Sequence, residues 1–203
     1  GERTGLYYTC INSYLTASEL AYIVNNSQSK VLFVSPAKLA VAVEAMAECP
    51  NIEQVLVVDS DSLSLPEGVI SYSQALDALP PTPIDKPLLG HSMLYSSGTT
   101  GRPKGIIRPL SGQAPDSVLP VFQFLEGILG YRDDMVYLSP APLYHSAPQA
   151  AINLAIRRGA TVVIMERFDP SEYLRLVEHY QVSHSQLVPT MFSRMLKLSV
   201  EER

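Results

Sequence analysis

LYSSGTTGRPKGIIRP, residues 94–109, decides how this chain is read. Up to Gly105 it holds three glycines, two serines, two threonines, a proline and two cations, so little in it suits a core. A lysine behind a glycine-rich loop invites the phosphate loop that opens a helix, whose spacing is G-x-x-x-x-G-K-[S/T]. Here Gly98-Thr99-Thr100-Gly101 is followed by Arg102-Pro103-Lys104-Gly105, which breaks that spacing. Ile106-Ile107-Arg108-Pro109 then runs from β-branched residues into a proline, a pattern that favours a strand over a helix. The loop is therefore expected to join two strands, SMLYS and GIIR, as a long hairpin.

Its chemistry points to phosphate. Glycines let backbone amides approach an anion, and the hydroxyls of Ser96, Ser97, Thr99 and Thr100 donate to phosphate oxygens. Lys104 adds a mobile point charge and Arg102 a second cation. A hairpin held at its ends closes over a nucleotide and reopens to release pyrophosphate. A solvated surface loop has the same composition, and the residues alone leave both readings open.

Outward from the loop, the pattern is α/β. GLYYTCIN reads as a short strand, and TASELAYIVNN as a helix with Thr16 and Glu19 in a capping box. KVLFVS and QVLVVD are continuous apolar runs, expected of strands buried on both faces, and AKLAVAVEAMAEC between them is a helix former. That makes a βαβ unit. Prolines at 80, 81, 83 and 87 exclude helix or central strand, which divides the chain into a first segment (1–79), a linker (80–87) and a second segment (88–203). Beyond the hairpin come a helix near 117–129 and the strand DMVYLSP. A helix ending at Gly159, the strand TVVIM, and a helix with Asp169 as N-cap and Pro170 at N1 follow. The strand SHSQLV and the helix TMFSRMLKLS close the series. Such alternation implies mainly parallel sheets flanked by helices.

Composition narrows the function classes. With 46% apolar residues, 17% charged residues and a formal charge of −5, the 203-residue chain suits a core-forming domain and not a nucleic-acid binder. No apolar run approaches the ~20 residues of a membrane span, which leaves peripheral membrane association open. Cys10 and Cys49 lack C-x-x-C spacing and read as reduced structural thiols of a cytoplasmic protein. No His or Cys spacing marks a metal site. Both ends look truncated, because the chain opens on Gly1 and stops directly after a helical pattern.

SPAPLYHSAPQ, residues 139–149, is a second candidate site. It follows a parallel strand, where open sheets bind ligands. Ser146 and Gln149 fit a capping box, which would set Tyr144 and His145 at a helix N-terminus with its free amides and positive dipole end. A histidine that only packs or caps is the alternative. His91, His179 and His184 read as structural, and Asp133 and Asp134 as a solvated turn. Met191, with Val188 and Pro189 ahead of it, is a helix-face residue placed to border a pocket.

YSSGTTGRPKG resembles the signature of the adenylate-forming superfamily of acyl-CoA synthetases, aryl-CoA ligases, luciferases and peptide-synthetase adenylation domains. GLYYTCINSYLTASELAYIVNNSQSKVLFVS and LVPTMFSRML are similar to family segments on either side. The resemblance implies part of the N-terminal domain of an acyl-CoA synthetase-like (luciferase-like) fold. It implies ATP, a carboxylic acid and coenzyme A as reactants: an acyl-adenylate forms, pyrophosphate leaves, and a thiol takes the acyl group. Ser96, Ser97, Gly98, Thr99, Thr100, Gly101 and Lys104 would bind phosphates, with Lys104 neutralising the departing pyrophosphate. Tyr144 would line the acyl pocket, and His145 would orient the carboxylate or contact the phosphoryl group.

The chain also departs from the family pattern. Ile107-Arg108-Pro109-Leu110 replaces the usual continuation of the loop. The Y-G-x-T-E segment, whose Glu binds Mg2+, the T-G-D segment and the catalytic lysine of the C-terminal domain are absent from it. The 203 residues alone are therefore expected to form no acyl-adenylate. Two other readings are a non-catalytic phosphate-binding module and a P-loop phosphotransferase, the latter disfavoured by the strand after Lys104. The particular acid and the oligomeric state are not legible.

Overall fold

The computed structural model describes residues 1–96 and 101–201. The chain forms two compact units, Gly1–Pro115 and Asp116–Arg203.

The first unit opens with β1 (Tyr7–Tyr8) and α1 (Ala17–Asn26). Thr16 caps α1 with the expected box: its hydroxyl accepts from the Glu19 amide, and the Glu19 carboxylate accepts from the Thr16 amide at 2.9 Å. Hydrogen bonds from Thr16 hold the Glu19 carboxyl below the ordinary carboxylate range. Next come β2 (Val31–Val34), a 3-10 turn (Pro36–Lys38), α2 (Leu39–Met46), β3 (Gln54–Val57), β4 (Val69–Ser71) and α3 (Tyr72–Asp77).

Strands β2, β3 and β4 lie side by side in that order, all parallel, with Val34 opposite Val57 and Val57 opposite Ser71. Val34, Val55, Val57 and Val69 pack with Ala42 of α2, and Ala21 and Val24 of α1 pack with Ala45 and Cys49. Burial pushes the Cys49 thiol pKa up. The expectation that these strands are buried on both faces fails for β2, whose Val31 and Phe33 are 41% and 57% exposed. The face bearing Leu32 and Val34 packs against α1 and α2, whereas on the other face Phe33 meets the Tyr72 ring at the start of α3, edge-on at 5.8 Å.

The proline-rich stretch 80–87 carries neither helix nor strand. Beyond it the chain returns to the first unit: β5 (His91–Ser92) pairs parallel with β1, and the Leu89 amide donates to Gln113. These contacts end the first compact unit at Pro115 and not at the prolines. The hairpin follows as β6 (Leu94–Ser96) and β7 (Lys104–Ile106), the one antiparallel pair among the described residues. The second strand starts at Lys104 and stops before Ile107, one to two residues ahead of the expected GIIR.

The second unit runs α4 (Pro120–Leu129), β8 (Val136–Ser139), α5 (Ser146–Arg157), β9 (Thr161–Ile164), α6 (Pro170–His179), β10 (His184–Ser185) and α7 (Pro189–Met195). Gly130, at φ 66°, caps α4 in the left-handed region that glycine tolerates. Asp169 accepts from the Glu172 amide at 2.9 Å with Pro170 in the first turn of α6, as expected. The sheet order is β10-β8-β9, all parallel. Met135, Tyr137, Ile152 and Ala155 pack on one side, and Leu138, Met165, Tyr173 and Leu176 on the other, so β8 is buried on both faces.

Candidate functional site

The hairpin is built from its paired residues outward. Tyr95 lies across from Gly105, and Ser96 across from Lys104, so the glycine-rich loop springs from a Ser–Lys pair. The Ser96 hydroxyl donates to the Lys104 carbonyl at 3.5 Å. The Lys104 side chain is exposed, and no ion pair among the described residues engages it. Gly101 has φ 133°, a conformation that suits glycine. Ser97, Gly98, Thr99 and Thr100 lie outside the described residues.

Arg102 faces α1. Its guanidinium sits 5.0 Å from the centroid of the Tyr22 ring of α1, in cation–π range. The Tyr22 hydroxyl donates to the Pro103 carbonyl at 2.9 Å. On the other strand, the Tyr95 hydroxyl donates to Asn26 Oδ1 at 2.7 Å. Beyond β7, the Tyr7 hydroxyl donates to the Arg108 carbonyl at 2.7 Å. Burial, with Tyr22 nearby, raises the Tyr95 pKa, so this hydroxyl stays a donor at neutral pH. Sequence reasoning missed these anchors, because each joins residues far apart in the chain and no local spacing marks them.

In the second unit, β8 and β10 run parallel with Leu138 level with Ser185, and the Ser185 hydroxyl donates to the Leu138 carbonyl at 2.8 Å. Their carboxyl ends thus release the 140–145 and 186–188 loops from one edge. The chain crosses from β8 to β9 on one side and then to β10 on the other, the strand-order reversal at which open sheets bind ligands.

Tyr144 and His145 stand in the first of these loops. Their rings lie 4.4 Å apart at 47°, with Tyr144 half-buried and His145 exposed. The expected box at Ser146 is not formed: His145 itself is the N-cap, without a side-chain cap bond, and Ser146 is the first helical residue. The turn from the His145 amide to the Pro142 carbonyl leaves His145 extended at ψ 145°, which starts the helix directly behind it. By helix geometry the amides of Ser146 and Ala147 lack intrahelical partners, so two donors and the positive dipole end lie beside the imidazole. Ser139, at the end of β8, is buried, and its hydroxyl has no hydrogen-bond partner among the described residues.

The other histidines are structurally engaged. His91 Nδ1 lies 2.8 Å from the Ser92 carbonyl. The His179 and Tyr180 rings meet edge-on at 4.6 Å. His184 contacts Ser183 Oγ at 2.9 Å and the Gly130 carbonyl at 3.1 Å. Asp133 and Asp134 are exposed and face Arg158 and Arg132 respectively. Met191 is buried in α7. Among the described residues no group of three His, Cys, Asp or Glu gathers as a metal site, and no helix is long and apolar enough to cross a membrane.

A family model described as AMP-binding enzyme matches residues 3–203. The chain is 31% identical to Acyl-CoA synthetase 7 of Caenorhabditis elegans over 96% of this chain and 37% of that protein. It is 32% identical to 4-coumarate–CoA ligase 5 of Oryza sativa subsp. japonica, over 99% of this chain and 36% of that protein. It therefore spans little more than a third of the curated relatives it matches. Among solved structures it is similar to the anthranilate CoA ligase AuaEII in complex with anthranoyl-AMP, with a TM-score of 0.74 at 22% identity over 94% of this chain and 36% of that one. ATP-bound MatB from Rhodopseudomonas palustris gives a TM-score of 0.68 at 23% identity, over 95% and 36%. At these identities the structural likeness speaks for the fold.

Proposed function

The chain belongs to the AMP-binding enzyme family, and from that premise we propose that it is the phosphate-hairpin and acyl-site portion of an ATP-dependent acid–thiol ligase. A carboxylate oxygen attacks the α-phosphorus of ATP, the bond to the bridging oxygen breaks, and pyrophosphate leaves with both electrons. The thiol of coenzyme A then displaces AMP from the acyl carbon. The observation that carries this reading is the antiparallel pairing of Ser96 with Lys104, which brackets the family's signature loop with a hydroxyl and an exposed ammonium.

Lys104 compensates the charge that grows on the leaving pyrophosphate, an electrostatic role that forms no covalent bond. Ser96 and the loop from Ser97 to Gly101 bind the phosphates. In the second unit, Tyr144 borders the acyl pocket and His145 orients the carboxylate with the help of the α5 amides. Magnesium, where the reaction uses it, finds its ligands outside this chain. CoA ligases of fatty acids, 4-coumarate and 2-succinylbenzoate are among the relatives, and an aryl or fatty carboxylic acid is the substrate class we assign.

The test is acid-dependent ATP–pyrophosphate exchange. A protein extended to the length of its relatives exchanges in the presence of an aryl or fatty acid, Lys104→Ala slows it at least about tenfold, and the 203 residues alone give none. Wild-type rates in Lys104→Ala would overturn the assignment of the loop, and exchange by the isolated chain would overturn only the expectation that the 203 residues alone form no acyl-adenylate.

A further inference from the structure

The hairpin offers more than a loop and a lysine. We propose that Tyr22, Asn26 and Tyr95 are positioning residues that fix both legs of the hairpin to α1, and that Arg102 serves this anchoring and leaves ligand contact to Lys104. The inference rests on the reading of residues 94–105 as a phosphate hairpin.

Each anchor lies next to the Ser96–Lys104 pair. Pro103 directly precedes Lys104, and its carbonyl accepts from Tyr22. Tyr95 directly precedes Ser96, and its hydroxyl reaches Asn26. Tyr22 and Asn26 are four residues apart, so they lie one above the other on a single side of α1 and reach opposite legs. Arg102 covers the Tyr22 ring, which occupies that cation and steadies the hydroxyl behind Pro103.

The helix that carries these groups is itself held. Its first turn is boxed by Thr16 and Glu19, and Ala21, Ile23 and Val24 are buried. Gly105 completes the arrangement. A Cβ there would stand 3.0 Å from Tyr95 Cζ and 3.1 Å from its hydroxyl oxygen, so the bare glycine lets the Tyr95 ring lie across β7 toward Asn26. Lys104 thus leaves a strand whose neighbours on both sides are pinned, and its ammonium is aimed by a rigid base. An anchored base lowers the ordering cost of meeting a polyphosphate.

Two measurements on the 203-residue chain test this: affinity for inorganic tripolyphosphate, and amide hydrogen exchange at residues 104–106. Tyr22→Phe and Tyr95→Phe keep the rings and delete one hydrogen bond each. Each is expected to weaken tripolyphosphate binding about 3–10-fold and to speed exchange at 104–106 by a similar factor, as loss of one such bond implies. Thermal midpoints should fall by no more than a few degrees, as loss of one hydrogen bond implies. Asn26→Ala should match Tyr95→Phe, and the double variant should be no worse than either. Asn26→Asp retains an acceptor oxygen and should restore slow exchange. Affinity and exchange within about twofold of wild type in both Phe variants would overturn the clamp, as would full additivity of Tyr95→Phe with Asn26→Ala. A wild-type chain that binds no tripolyphosphate, while its Phe variants still exchange faster at 104–106, would sink the phosphate reading and leave the anchoring demonstrated.

Discussion

Gly105→Ala is the most discriminating single change on the hairpin. The added Cβ would lie 2.5 Å from Met93 Cε, where carbon contacts settle at about 3.5–4.0 Å. Met93 is buried, but its Cε is the free end of a flexible side chain, so it yields the required ~1 Å by turning about its own bonds. The Tyr95 ring end must give a further few tenths of an ångström, which stretches the 2.7 Å bond to Asn26 toward the limit of hydrogen bonding. Overpacking of this kind costs about 1–3 kcal/mol. Against it stands about 0.4–1 kcal/mol from the reduced freedom of the unfolded chain. The expected net loss is about 0–2.5 kcal/mol, read as a fall in the urea midpoint at unchanged slope. Because the Tyr95–Asn26 bond is already strained in this variant, adding Tyr95→Phe should cost clearly less than it does in the wild-type chain. A Gly105→Ala chain as stable as wild type, with Tyr95→Phe fully additive, would refute the close approach.

Other outcomes follow from particular contacts. Thr16→Ala should cost about 1 kcal/mol at neutral pH through loss of the α1 cap. The Glu19 pKa is depressed in the fold, so its contribution is present above the ordinary carboxylate range and is lost as pH falls through the lowered value; urea titrations at pH 7 and 3 should show the Thr16→Ala deficit shrinking in acid. Leu138→Ala, at a fully buried position between Met165, Tyr173 and Leu176, should cost about 2–5 kcal/mol by the same assay. Ser139→Ala removes a buried hydroxyl without a partner among the described residues and should stabilise the chain by up to about 1 kcal/mol, and a loss of that size would show that the hydroxyl is satisfied. A thiol reagent should label Cys49 only on unfolding, since the side chain is buried and its thiolate disfavoured; rapid native labelling would contradict that placement.

Legibility followed the range of the interactions. The caps at Thr16 and Asp169, the alternation of elements and the hairpin were readable because each depends on residues a few positions apart. Short-range rules failed where burial depends on what covers a surface: β2 is continuous in apolar residues, yet Val31 and Phe33 on one of its faces stay largely exposed. They also failed at α5, where the S-x-x-Q pattern pointed to Ser146 but the turn back to Pro142 passes the cap to His145. Strand β4 and helix α3 went unread because three strand residues run directly into a six-residue helix, too short for either period to register. Of the site, the loop and its lysine were legible as a motif. The Tyr22 ring beside Arg102 was not legible, because nothing in the sequence brings the two together.

The tyrosine anchors also bear on the order in which the first unit folds. The hairpin strands are near neighbours in sequence and close on the microsecond scale of isolated hairpins. Tyr95 and Asn26 are 69 residues apart, Tyr22 and Pro103 are 81, and Tyr7 and Arg108 are 101. Such contacts form only after the longest chain closures have been made. The hairpin thus takes shape early and is fastened late, in the same stage as the β1–β5 pairing, so the seating of its lysine waits on the long-range closures of the first unit.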